Sequence, residues 1–212
     1  MPSIETLITF SLAAFLLCVS PGPSNLYIMA RSLRQGFKAG FAAASGMAIG
    51  SFIYVVLSAL GLAAVFKYSP TAFLVLKVMG ALYLIYLGIT YLRSKEQSPQ
   101  SGTAVNVEIA NSKIFYQSIV VELTNPKTAL FFMAFLPQFV DVSAGSVTSQ
   151  FLILGAIYML MGFLCDLFFA ALSSKMGSWL SNNTALLHKQ DKISGCIMLG
   201  LGAYLGAQEL VK

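Results

Sequence analysis

Two short stretches set proline beside amide and hydroxyl side chains inside apolar runs, the first of them uncharged: Ser20-Pro21-Gly22-Pro23-Ser24-Asn25 and Thr124-Asn125-Pro126-Lys127-Thr128. Proline lacks an N–H and clashes with the preceding turn, so each stretch should interrupt the helix its run would otherwise form. The interruption leaves carbonyls unpaired at the end of one half-helix and N–H groups unpaired at the start of the next. These are partial negative and positive poles without a full charge. Such poles suit a small zwitterion, whose ammonium needs acceptors and whose carboxylate needs donors. The candidate substrate-binding residues are therefore Pro21, Gly22, Pro23 and Asn25 on the first break, with Asn125, Pro126 and Lys127 on the second. A single proline could equally be a kink that lets a helix pack. Two breaks at corresponding places favour a site.

Two carboxylates lie in the same kind of surroundings, Glu122 just before the second break and Asp166 within a later apolar run. A charge at the centre of a bilayer costs on the order of 3 kcal/mol on insertion scales, so such a group faces a cavity or a partner, and proton relays are built from them. Glu122 and Asp166 are the candidate proton-coupling residues. The plainer reading of Glu122 is a salt bridge to Lys127 or Lys113. For Asp166 it is pairing with Lys175, which lies nine residues further on.

The surroundings of these residues follow from composition. Of 212 residues, 57% are hydrophobic and 10% charged, with a mean hydropathy of +0.78, whereas soluble domains are about 25% charged. The chain is read as an all-α integral membrane protein. Its uncharged runs approach the ~20 residues that span a bilayer as a helix, and none alternates as a barrel strand does. Six spans are expected, at 6–30 (broken at the first proline stretch), 39–66, 71–92, 114–140 (broken at the second), 147–173 and 193–208. Small residues a turn apart, Gly46-x-x-x-Gly50 and Gly202-x-x-x-Gly206, predict close helix packing. The polar stretch 94–113 is the expected linker, dividing the chain into a first three-helix repeat (1–93) and a second (114–212).

Each half opens with a broken helix, and an odd number of spans per half makes the repeats antiparallel, that is, inverted. Basic residues agree: Arg31, Arg34 and Lys38, then Arg93, Lys95 and Lys113, then Lys175, Lys189 and Lys192 fall in loops on one side. Positive loops stay in the cytoplasm, which places both termini outside it. The same bias explains the formal net charge of +5, with no nucleic-acid partner expected. The N-terminus carries Glu5 and no basic residue before its apolar run, so it does not read as a cleaved secretory signal. Inverted repeats with interrupted helices in corresponding positions point to a secondary transporter with its site between the halves.

No enzyme chemistry is visible. His188 stands alone in a polar loop, and Cys18, Cys165 and Cys196 sit in apolar runs without metal-ligand or redox spacing. No phosphate-cradling glycine loop is present, so no cofactor is expected and uphill transport would draw on an ion gradient.

The motifs resemble the LysE/RhtB family of bacterial amino-acid exporters. Ser20-Pro21-Gly22-Pro23-Ser24-Asn25 is similar to the PGP(N) signature of that family, followed by Arg34-x-Gly36-x-x-x-Gly40 and Gly46-x-x-x-Gly50. The segment from Gly80 through Gly88, GALYLIYLG, resembles the family's GAxYLxYLG stretch. Asn125-Pro126-Lys127 with Leu136-Pro137-Gln138-Phe139 resembles its NPK and LPQF segment. The resemblance implies proton-driven export of amino acids across the bacterial inner membrane. Few fixed anions lie in the spans, so neutral or hydroxylated substrates such as homoserine, threonine or leucine are expected. A homodimer is a further expectation. Many relatives carry an acid where this chain has Ser51, whereas Glu122 stands where they are often neutral. The coupling residues are therefore assigned from burial cost and not from the resemblance. The alternative function is a passive channel or membrane-assembly partner, or an exporter of another small solute.

Overall fold

A computed structural model describes residues 2–20, 22–62 and 109–175, with isolated helical positions between 71 and 93 and between 196 and 203. Apart from those positions, the expected third and sixth spans lie outside the described residues. So do the linker up to residue 108, Pro21, and the second Gly-x-x-x-Gly pair.

Among the described residues all regular structure is helical. Helix α1 (Ile4–Val19) starts where Ser3 Oγ accepts the Thr6 N–H at 3.1 Å. It ends one residue before the first proline stretch. Helix α2 (Pro23–Gln35) begins on Pro23, whose missing N–H costs nothing in a first turn, and is bent by 51° from α1. Gly36 then takes φ +77, a left-handed conformation that lets α3 (Phe37–Leu57) start at once. Helix α3 begins two residues before the position expected from the apolar run and ends in a π-helical turn, Ser58–Leu62.

Helix α4 (Asn111–Leu123) takes in Asn111, Ser112 and Lys113, so the last residues assigned to the linker are already helical. It is interrupted at Thr124 and Asn125. Helix α5 (Pro126–Leu130) runs on through a π-helical turn (Phe131–Phe135) and a 3-10 turn (Leu136–Phe139), bent by 48° from α4. Helix α6 (Val147–Lys175) is unbroken. By length and composition two of the described helices can cross a membrane alone, Phe37–Gly61 and Val147–Lys175, or four spans result if each bent pair is one.

The centre is α3, packed on α2, α4 and α6. A Cβ on Gly46 would stand 2.2 Å from the Phe115 carbonyl oxygen, and one on Gly50 would stand 2.7 Å from Glu122 Cβ. The Gly46-x-x-x-Gly50 face is therefore where α3 meets α4, as its spacing predicts. Leu12, Phe15, Phe52, Leu160, Leu164 and Phe168 point outward, as a lipid-facing surface requires. Inside are two apolar clusters. One holds Phe10, Phe131, Phe132, Phe135, Phe151 and Tyr158; the other holds Ile28, Ala43, Met47, Ile114 and Ala170. Along α3, Ser51 is buried between these clusters, and along α4 into α5 so are Ser118, Glu122, Asn125 and Thr128; on α6 the half-buried Asp166 lies between them.

Candidate functional site

The two helix breaks meet each other. The last carbonyls of α1 lack intrahelical donors, and the Cys18 carbonyl accepts the Asn25 side-chain amide at 3.4 Å. The Ser20 carbonyl accepts Lys127 Nζ, which reaches across from the other break. Gly22 lies against that side chain, where a Cβ would sit 3.2 Å from Lys127 Cδ, a tight contact.

The second break is held in a complementary way. Asn125 caps α5 by accepting the Lys127 N–H on Oδ1 at 3.0 Å, and its Nδ2 donates to Ser24 Oγ at 2.7 Å. Tyr54 of α3 donates to the Leu123 carbonyl at 2.7 Å, closing an orphaned acceptor at the end of α4, and stacks on Phe132 at 5.4 Å. Side chains of each break thus pair with groups of the other.

Glu122 lies at the junction, 5% exposed. Its Oε2 accepts Ser24 Oγ at 2.5 Å, and its Oε1 accepts Ser51 Oγ at 2.8 Å and Thr128 Oγ1 at 3.0 Å. The salt bridge to Lys127 or Lys113 is replaced by hydroxyls from α2, α3 and α5. These hydrogen bonds draw three elements onto one side chain. Ser51, where the resemblance leads one to look for an acid, touches Glu122 directly; the chain carries its carboxylate on the facing helix.

Asp166 projects from α6 into the same cavity as Glu122, Lys127, Asn25 and Asn125. Pairing with Lys175 is not observed: Lys175 closes the last turn of α6, and Asp166 makes no hydrogen bond or ion pair among the described residues. The lining also includes apolar side chains, Met47 of α3 and Met159 and Phe163 of α6, the helix that carries Asp166. The cavity leaves about 40 Å³ for water centres, where roughly 10–15 Å³ holds one water. It has room for a few waters and must enlarge to admit an amino acid.

Of the residues expected at the site, Asn25, Asn125, Lys127, Glu122 and Asp166 line this cavity. Gly22 borders Lys127, Pro23 and Pro126 start the half-helices and are exposed, and Pro21 lies outside the described residues. Sequence reasoning did not assign roles to Ser24, Ser51, Thr128 and Tyr54. Hydroxyls in apolar helices also pack as small residues, so only their spatial convergence on Glu122 and on the Leu123 carbonyl marks these four. No group of three or more metal-ligating side chains occurs among the described residues.

The model of the LysE type translocator family matches residues 15–209. A leucine efflux protein of Enterobacter sp. (strain 638) is 32% identical over 199 residues, 94% of each chain. That of Salmonella typhimurium is 31% identical over 198 residues, 93% of this chain and 92% of its own. An uncharacterized membrane protein of Pseudomonas aeruginosa is 31% identical over 205 residues, 95% of both. No solved structure matches. A match spanning both helix breaks and nearly the whole length makes this membrane transporter, which is not an enzyme, a member of the LysE type translocator family.

Proposed function

We propose that the protein is a secondary active exporter of neutral amino acids from the cytoplasm of a bacterium, coupled to protons. The observation that carries the reading is the meeting of two helix breaks in one polar cavity within an apolar molecule. Leucine efflux proteins of similar length and about 31–32% identity support an amino-acid substrate. An α-amino acid offers an ammonium, a carboxylate and a side chain. The cavity answers with Asp166, Glu122 and the α1 carbonyl pole for the first, with Lys127 and half-helix N–H groups for the second, and with Met47, Met159 and Phe163 for the third. These apolar residues favour leucine-like side chains over charged ones.

The full architecture is six spans in two inverted three-helix repeats, set in the inner membrane with both termini outside the cytoplasm. The bends of 51° and 48° in the first and fourth spans support that correspondence. Proton coupling belongs to Asp166 or Glu122, the carboxylates that line the cavity.

The test is efflux of labelled leucine from proteoliposomes, with and without an imposed pH gradient. Uphill movement driven by the gradient, lost in D166N or E122Q, is the expected result. Downhill flux indifferent to the gradient refutes coupling and supports a passive channel. No leucine flux, with other amino acids also immobile, refutes the export reading.

A further inference from the structure

Lys127 spans the two breaks in a manner that substrate binding alone does not require. Its ammonium has three donors, and among the described residues it makes one hydrogen bond, to the Ser20 carbonyl at the end of α1. The hydroxyl of the same Ser20 is buried and makes no hydrogen bond among the described residues, so Lys127 meets Ser20 through its carbonyl alone. A carbonyl at the negative end of a helix is a seat for a cation. The seat is filled by a tethered cation, Lys127, whose side chain also lines the cavity, and that cavity is too small for substrate.

We propose that Lys127 is the transporter's built-in stand-in for the substrate's ammonium: it occupies the seat at Ser20 in the empty carrier, and the arriving amino acid displaces it. This rests on the amino-acid reading above and adds a role in the transport cycle. An empty carrier must close and return with its break carbonyls satisfied, because backbone groups left unpaired in a water-poor membrane interior are costly. Lys127 supplies the missing donor and positive charge when no substrate is present. Substrates must then carry a free ammonium, and an N-acetylated amino acid cannot take the seat.

A neutral residue at 127 impairs the return of the empty carrier more than it impairs the substrate-loaded steps. The measurement is the ratio of net leucine efflux into amino-acid-free buffer to leucine–leucine exchange, in proteoliposomes bearing wild type, K127M, K127Q or K127R. Gln at 127 keeps a polar head but is shorter than lysine and carries no positive charge, so K127Q carries the test if K127M fails to fold. In the neutral variants the ratio is expected to fall at least about tenfold, or about 1.4 kcal/mol on the return step. K127R, which retains the cation, stays near the wild-type ratio, and N-acetyl-leucine is not exchanged by any variant. An equal fall in net efflux and exchange makes Lys127 an ordinary substrate ligand and overturns the proposal, as does an unchanged ratio. Failure of wild type to exchange any amino acid refutes the functional reading itself, a distinct outcome.

Discussion

Glu122 concentrates the chemistry of the site in one carboxylate. Its three hydroxyl donors come from α2, α3 and α5, and removal of the acceptor leaves buried donors unpaired at about 1–3 kcal/mol. E122A is therefore expected to lower thermal stability in detergent by an amount in that range. S51A, which deletes one of three donors, costs about 1 kcal/mol; parity of the two losses would show that the hydroxyl cluster is not held together by the carboxylate. Asp166 differs in kind. It lines the cavity without a hydrogen bond or ion pair among the described residues, so D166N is expected to change transport far more than stability, read as leucine flux against melting temperature.

The elements are fitted to one another by residues that lack side chains. Gly46 and Gly50 bring α3 against α4 so closely that a Cβ at 46 would meet the Phe115 carbonyl oxygen at 2.2 Å, and one at 50 would meet Glu122 Cβ at 2.7 Å. Neither obstacle is the end of a flexible side chain. G46A is expected to cost about 1–3 kcal/mol through overpacking, with loss of folded protein on size-exclusion chromatography. Gly36 is different, since nothing lies within 4 Å of its would-be Cβ and φ is +77. G36A should cost about 1–2 kcal/mol from backbone conformation alone, without disturbing the α3–α4 contact.

For the whole molecule, the proposed inversion of the two halves makes a geometric prediction. Reporter fusions at both ends should read the side opposite the cytoplasm, and a fusion in the 94–108 stretch should read the cytoplasmic side; the mirror pattern overturns the orientation, and ends on opposite sides break the two-repeat reading. The outward row of Leu160, Leu164 and Phe168 on α6 faces lipid in that arrangement. F168R is expected to reduce membrane insertion, at a cost of up to about 3 kcal/mol that lessens as the arginine snorkels toward the interface.

Much of this was legible in the residues alone. Proline's missing N–H and the apolar length of each run determine that both helices break, and they do so at 20–22 and 124–125. Both facts are local, belonging to backbone chemistry and to composition. The pairing of the breaks is not local. That Lys127 reaches the Ser20 carbonyl, 107 residues away, and that Ser24, Ser51 and Thr128 converge on Glu122, depends on how closely α2, α3, α4 and α5 approach. A lysine five residues from Glu122 looks like its salt-bridge partner along the chain. The break turns α5 by 48° from α4, the lysine joins the opposite half-helix, and hydroxyls take the carboxylate. Types and spacing thus determined where the chain must break and which residues are costly in a membrane; only the tertiary packing decided which of them compensate one another.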